Sequence, residues 1–344
     1  MRVGIDARKI ADYGIGTYIR GLLRGVAELR RADLEVIAFA PRGANVPEGI
    51  RHEIADAPHY SFRELFLLGR AAKRATVDVF HAPHYVTPLT SLPLVVTIHD
   101  LIHLHQPQRN PLAPFYARTM IRRAMRNAAR VLTVSHAVED DLLAFGCDPR
   151  KIRVTYNGVE PQPAGHHPPD AHRFLAIAND KPHKNIETLV AAFALVRNEL
   201  PSATLTLVGS AFTRFAQRDG IDARGFVDDE ELHSLYRTST ALIVPSLEEG
   251  FGLPAAEAMA HGCAVITSNA RALVEITGDA ALHVEARDAR AFAAAMLRIA
   301  RDASLREQLA TRGVVRARDF SWTRCAERTV EAWFDAWNIV ERRV

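Results

Sequence analysis

Ala241-Leu242-Ile243-Val244, followed by Pro245-Ser246-Leu247-Glu248-Glu249-Gly250-Phe251-Gly252-Leu253-Pro254-Ala255-Ala256-Glu257-Ala258-Met259-Ala260, carries one α/β unit in a single run. Four apolar residues of strand length enter a loop broken by two glycines, and Pro254 suits the first turn of the helix that follows. The same alternation recurs on both sides. Upstream it predicts strands over 174–178, 204–208 and 223–227 with helices over 184–199 and 229–238. Downstream it predicts a helix over 254–262, a strand over 264–267 and helices from Asp288 onward. Nearer the N-terminus, strands over 2–6, 34–40, 79–81, 94–99 and 131–135 alternate with helices over 15–29, 62–75, 114–128 and 137–144. Alternation of this kind is the signature of parallel sheets covered by helices.

The two series are parted at Pro161–Asp170, where four prolines and a glycine sustain neither helix nor strand. The expected division is therefore an N-terminal domain over 1–160, a linker over 161–170 and a second domain over 171–320. The segment over 321–344 is an amphipathic helix whose Trp322, Trp333, Phe334 and Trp337 must dock, with the N-terminal domain as the expected partner. The fold class is α/β: two doubly wound, Rossmann-like domains facing across a cleft. In such folds ligands bind beyond the carboxyl ends of the strands, so functional residues belong just after strands.

Composition supports this and excludes other classes. At 344 residues, 48% hydrophobic and 24% charged, the chain fills two ordinary cores, and no apolar run approaches the length of a membrane-spanning helix. The net charge of +3 is too small for a nucleic-acid binder. Residues 1–160 carry 22 basic against 16 acidic residues and the remainder 21 against 24, so the first half is the one suited to an anionic surface. The N-terminus turns polar at once, without the apolar core of a secretory signal, and Cys147, Cys263 and Cys325 form no CxxC. Both point to a cytoplasmic protein with free thiols.

In the decisive stretch, Gly250 and Gly252 permit a tight backbone, and the amides of Phe251 to Leu253 at the helix start suit an anion. Glu248, Glu249 and Glu257 would repel a bare diphosphate but accept hydrogen bonds from hydroxyl groups of the same ligand. A sugar attached to a diphosphate satisfies both demands. Here the sequence resembles glycosyltransferase family 4, in which a Glu, seven residues and a second Glu follow a strand of the C-terminal domain, as Glu249 and Glu257 do. Asn157-Gly158-Val159 and Gly278-Asp279-Ala280-Ala281 extend the resemblance over nearly the whole chain. It implies a GT-B fold, a nucleotide-sugar donor, retention of anomeric configuration and no required metal or other cofactor.

Three further motifs acquire roles through that resemblance. In Asn179-Asp180-Lys181-Pro182-His183-Lys184-Asn185, read as a strand end running into a helix start, Lys184 is placed to stabilise charge building on the leaving diphosphate. Many members carry an Arg where Asn179 stands, and Lys181 and Arg214 are candidate substitutes. His99, at the end of Leu94–Ile98, is placed beside the donor sugar, with Asp100 as a candidate orienting group. In Tyr13-Gly14-Ile15-Gly16-Thr17-Tyr18 the two glycines would admit donor phosphates by lacking side chains. No third glycine and no acid after the next strand support an NAD site there. The base is expected near Phe226 and Val227. His81, His84, His99, His103 and His105 raise a zinc site, which their spacing does not dictate.

Arg118, Arg122, Arg126 and Arg130 recur every four residues with no acid among them, a cationic stripe suited to lipid phosphates. The apolar stretch Tyr60 to Leu68 suits a lipid tail or membrane surface. The expected activity is thus that of a retaining, metal-independent hexosyltransferase using a nucleoside-diphosphate sugar and a saccharide or lipid-linked acceptor, in surface polysaccharide or glycolipid synthesis. Mannose from GDP-mannose is favoured because the Asn179–Asn185 variant resembles bacterial mannosyltransferases. The expected location is cytoplasmic, peripheral on the inner face of the membrane. Alternatives are a GT-B epimerase acting on a nucleotide-sugar, a sensor that binds without turnover and, outside these, an NAD-dependent oxidoreductase.

Overall fold

The computed structural model describes residues 1–56, 62–105, 113–162, 172–209 and 212–341. Most of the stretch expected as a linker, and Tyr60 and Ser61, lie outside the described residues. The chain forms two compact units, Met1–Gly158 with Trp322–Val344, and Val159–Ser321.

The first unit runs β1 (Arg2–Asp6), α1 (Ile15–Glu28), β2 (Glu35–Ala40), β3 (Arg51–Ile54), α2 (Phe62–Arg74), β4 (Val79–Ala82), β5 (Leu94–Ile98), α3 (Ile102–His105), α4 (Ala113–Asn127), β6 (Arg130–Thr133), α5 (His136–Ala144) and β7 (Ile152–Val154). The second runs β8 (Arg173–Ile177), α6 (Ile186–Glu199), β9 (Thr204–Val208), β10 (Ile221–Arg224), α7 (Asp229–Thr238), β11 (Ala241–Val244), α8 (Leu253–Ala260), β12 (Val265–Ser268), α9 (Arg271–Thr277), β13 (Ala281–Val284), α10 (Ala289–Arg301) and α11 (Ala303–Ala317). After it α12 (Trp322–Glu341) returns to the first.

All pairings are parallel, in the orders β3-β2-β1-β4-β5-β6-β7 and β10-β9-β8-β11-β12-β13. Strand order therefore reverses once in each sheet, between β1 and β4 in the first and between β8 and β11 in the second. Loops leaving adjacent strands at such a point diverge to opposite faces and open a crevice. The loops that carry Gly14, Lys184 and Glu249 follow β1, β8 and β11.

Period-two alternation sorts the cores. In the first unit Val3, Ile5, Val79, Val95 and Leu132 face a core shared with α1 and α12, whereas Phe80, Val96 and Val131 face one containing residues of α2, α4 and α5. In the second, Phe174, Leu205, Ile243 and Ile266 pack with α6 and α10. On α12, Trp322, Cys325, Ala326, Val330, Trp333 and Ala336 supply the apolar stripe. A Cβ added to Gly21 would lie 2.1 Å from the Trp322 ring, so α1 presents a glycine where the indole lands.

Three differences from the sequence reading have local causes. The helix expected from Lys184 starts at Ile186, because Asn185 adopts φ 56° and closes a short 3₁₀ turn over Pro182–Lys184. The strand expected over 223–227 ends at Arg224, which leaves Phe226 and Val227 in the loop before Asp228 caps α7 through the amide of Glu231. The four-residue arginine period outlasts its helix: α4 ends at Asn127, and Arg130 lies on β6 in an ion pair with Asp335 at 3.0 Å. Arg118, Arg122 and Arg126 remain on α4. Among the described residues no helix is long and apolar enough to cross a membrane.

Candidate functional site

In the second unit two loops from neighbouring strands are fastened together before any side chain is considered. The Leu247 amide donates to the His183 carbonyl at 2.7 Å, so the loop after β11 hangs on the loop after β8. The Asn185 side-chain amide donates to the Pro245 carbonyl at 2.9 Å and to the Ala286 carbonyl at 2.6 Å. Asparagine tolerates the left-handed backbone that this reach requires. Sequence reasoning missed Asn185 as the fastening residue, although an Asn just before an apolar helical run is a signal of a helix start.

This fastening brings Lys184 to Glu249. Lys184 Nζ donates to Glu249 Oε1 at 2.6 Å, and Ser246 Oγ donates to the same oxygen at 2.8 Å. Both side chains are largely shielded, at 19% and 11% exposed, so the pair is screened less than a surface bridge. A compact cation and a carboxylate thus stand together at the carboxyl edge of the sheet. The Phe251 ring packs edge-on against Phe320, with centroids 5.4 Å apart. Gly252, at φ 88°, precedes Leu253 and Pro254 at the start of α8. A Cβ there would meet Leu273 at 2.5 Å, so both backbone and packing demand glycine.

One turn into α8, Glu257 Oε2 accepts from the Tyr236 hydroxyl at 2.7 Å. Burial of the carboxyl group pushes Glu257 up to about 7, against the lowering effect of the Tyr236 hydrogen bond, and the charge of Asp229 adds to the rise. Asn179 and Lys181 are exposed. Arg214 pairs with Asp180, the neighbour of Asn179, and with Glu187, and lies 4.4 Å over the Phe215 ring.

In the first unit, Gly14 has φ 71° and open space where a side chain would be, whereas a Cβ on Gly16 would meet the carbonyls of Lys9 and Ile10 at 2.8 Å. Gly14 leaves room at the loop surface. Gly16 is required by the loop's own packing, a demand separate from the expected approach of a ligand. Beneath this loop Arg8 forms a two-pronged ion pair with Asp6, both side chains about 1% exposed, and His84 Nε2 reaches Asp6 Oδ2 at 3.2 Å. Burial alone would raise the Asp6 carboxyl, but hydrogen bonds from Arg8 and His84 outweigh it and hold it well below the usual carboxylate range.

His99 Nε2 donates to the Pro83 carbonyl at 3.1 Å, and its ring packs edge-on to Tyr18 with centroids 4.7 Å apart. Burial lowers its pKa to about 4, while Asp100 and the Pro83 contact oppose the shift, so the ring is neutral at pH 7. Asp100 accepts from the Ile102 amide and lies 3.7 Å from His103, so Pro83 and Tyr18 orient His99. His81 is likewise engaged: Trp333 Nε1 donates to its Nδ1 at 3.3 Å and its Nε2 reaches Thr97 Oγ1 at 2.8 Å. Among the described residues no three His, Cys, Asp or Glu side chains group as a metal site would require.

Residues 13–163 match the model of Glycosyltransferase Family 4, and residues 171–302 that of Glycosyl transferases group 1. The O-antigen chain mannosyltransferase B of Escherichia coli is 29% identical over 280 residues, covering 74% of each chain. The MMP alpha-(1->4)-mannosyltransferase of Mycolicibacterium hassiacum is 30% identical over 297 residues, 76% of this chain and 72% of its own. Among solved structures, sucrose-phosphate synthase from Thermosynechococcus elongatus superposes with a TM-score of 0.82 at 21% identity, covering 98% of this chain and all (100%) of that one. Anabaena HepE in complex with UDP and glucose superposes at 0.72 and 18% identity, covering 96% and 98%. With two parallel-stranded units of this topology and these relatives, the chain belongs to glycosyltransferase family 4, of GT-B fold.

Proposed function

We propose that this chain transfers a hexose, with mannose favoured, from a nucleoside-diphosphate sugar to a hydroxyl of a saccharide or lipid-linked saccharide, with retention of configuration and without a required metal. The observation that carries the reading is the Lys184–Glu249 pair, 2.6 Å apart at the point where strand order reverses, with Glu257 one turn into the adjoining helix. The mannosyltransferase names of the relatives from Escherichia coli and Mycolicibacterium hassiacum favour mannose, and GDP-mannose as donor.

In this reading Lys184 moves from Glu249 towards the diphosphate when donor binds, and stabilises the charge that grows on the leaving group. Glu249, relieved of its partner, accepts hydrogen bonds from the sugar hydroxyls. Glu257 accepts from the ribose hydroxyls, and the backbone from Gly250 to Leu253 flanks the diphosphate and sugar. The base lies near Phe226 and Val227, Gly14 leaves room for phosphate, and His99 bonds the sugar ring. The acceptor hydroxyl attacks from the face the diphosphate leaves, and a leaving phosphate oxygen takes its proton. No side-chain nucleophile is then needed.

A thermal-shift series with GDP, UDP, dTDP and NAD, without added metal, tests the donor site, since a ligand that binds only the native state raises its stability. GDP is expected to give the largest shift. A shift with NAD alone, or with none of the four, overturns the reading. Formation of free mannose or a mannosylated product from GDP-mannose above background separates a transferase from a binding-only sensor.

The acceptor side of the reading includes an anionic membrane surface. Phe66, Leu67, Phe115 and Tyr116 are exposed on α2 and α4, and Arg118, Arg122 and Arg126 follow on α4. Flotation with vesicles rich in anionic phospholipid is expected to carry the protein upward at low salt and release it at high salt. A protein that stays wholly in the soluble fraction at low salt removes membrane contact from the proposal.

A further inference from the structure

The donor reading assigns Glu257 to the ribose but leaves unexplained how a desolvated carboxyl group is kept ready for that task. Tyr236, on α7, is 1% exposed, and its hydroxyl donates to Glu257 Oε2 at 2.7 Å. The phenol is itself held from behind. The His261 ring stacks on it, with centroids 5.0 Å apart and planes inclined by 28°, and His261 Nδ1 donates to the Glu257 carbonyl at 2.7 Å. No motif drew attention to Tyr236.

We infer that Tyr236 is a positioning residue for nucleotide recognition: its O–H occupies Oε2 of Glu257, fixes the carboxylate and leaves the remaining acceptor capacity to the two ribose hydroxyls of a nucleoside diphosphate. This rests on the donor reading of Glu257. A carboxylate has about four lone-pair positions, so one phenol donor and two ribose donors can be accepted together. A protonated carboxyl cannot serve both hydroxyls as well, and the group already sits at about 7 through burial. The Tyr236 bond favours the ionised form, whereas Asp229, in the first turn of α7, opposes it. Burial, foremost, and Glu257 push the Tyr236 phenol well above its ordinary value, so it remains a donor at neutral pH. The other charged or titratable groups described in the cluster are His261, lowered by burial to about 4, with His233 and Arg237 beside it, and Cys263, whose thiol burial pushes up to about 12 and which adds to the rise of Tyr236.

The test compares binding of GDP, and of its 2′,3′-dideoxy counterpart, to the full chain, the Tyr236→Phe variant and the Glu257→Gln variant by calorimetry at pH 7.5. The wild type is expected to prefer the ribonucleotide about tenfold or more, and Tyr236→Phe to lose most of that preference while binding the dideoxy form within about twofold of wild type. Equal weakening of both nucleotides by Tyr236→Phe means that the phenol only supports packing, which overturns the proposal and leaves the donor reading intact. Absence of a preference in the wild type, or a preference unchanged in Glu257→Gln, overturns the donor reading and the proposal with it. Should Tyr236→Phe fail to fold, the double variant with Glu257→Gln takes its place. Adding Tyr236→Phe to Glu257→Gln is expected to change GDP affinity by less than about twofold, since the phenol then has no carboxylate to act through. A further tenfold loss would overturn the proposal.

Discussion

Lys184→Ala is expected to lower turnover of the nucleotide-sugar by about a hundredfold while changing donor affinity only a few-fold. The asymmetry follows from where the charge appears. In the proposed reading the diphosphate already carries its charge in the ground state, and in the free protein the Lys184 ammonium is held by Glu249 at 2.6 Å. Binding exchanges one anionic partner for another, with little net gain. As the sugar bond breaks, negative charge grows on the leaving phosphate, and an ammonium fixed within hydrogen-bond reach stabilises that state more than the one before it. Removing Lys184 also strips Glu249 of its cation, but Ser246 still donates to Oε1 at 2.8 Å, so the loop keeps its form. On the proposed donor reading Glu257→Ala is expected to have the opposite profile, with donor KM raised about tenfold and kcat largely kept, because a ribose bond would be made equally in ground and transition states. Steady-state kinetics with varied donor at saturating acceptor separate the two. Equal losses in kcat and KM for both variants would dissolve the distinction between charge stabilisation and donor holding.

The largest loss of stability is expected from Trp333→Ala, about 3–5 kcal/mol in the first unit. Trp333 is fully buried, the largest such side chain among the described residues, and lies in the core shared by α1, α12 and one face of the sheet. Truncation removes most of its apolar contact and opens a cavity that the rigid strands β1, β4 and β5 cannot collapse into. It also removes the donor to His81 Nδ1. Burial holds His81 neutral, its pKa lowered to about 3, so an orphaned Nδ1 cannot recover by taking a proton at neutral pH. The polar chain beyond it, His81 to Thr97 to Tyr18 with separations of 2.8 and 3.0 Å, then loses its anchor on α12. Trp333→Phe keeps ring volume but not the donor, and is expected to cost about half as much. Urea unfolding followed by far-UV circular dichroism measures both. A loss below about 1 kcal/mol for Trp333→Ala would mean that α12 is not an integral part of this core.

What could be read without coordinates was local in origin. The strands read at Arg2–Asp6, Thr204–Val208 and Ala241–Val244 coincide with those of the structure to the residue, because parallel strands buried on both faces write themselves as short, mostly apolar segments. Helix α7 was equally legible at Asp229–Thr238, and the structure adds Asp228 as its cap. Short strands such as Arg51–Ile54 were not, since their residues are mostly exposed and polar at the sheet edge. The arginine period misled at Arg130 because periodicity continues through a sequence whether or not the helix does.

By itself the sequence determined the class of fold, the family and where loops leave the strands, since strand-loop-helix transitions depend on neighbours within a few residues. Only the tertiary structure decided what those loops do to one another. Lys184 meets Glu249 because Asn185, in a left-handed conformation that no pattern announced, reaches carbonyls 60 and 101 residues away. Tyr236 reads along α7 as one more core residue, and its partner Glu257 lies 21 positions later. The dividing line is the range of the interaction. Hydrophobic periodicity and capping are written between near neighbours, whereas a hydrogen bond across a crevice depends on two strands being adjacent in the sheet, which the order of residues leaves open.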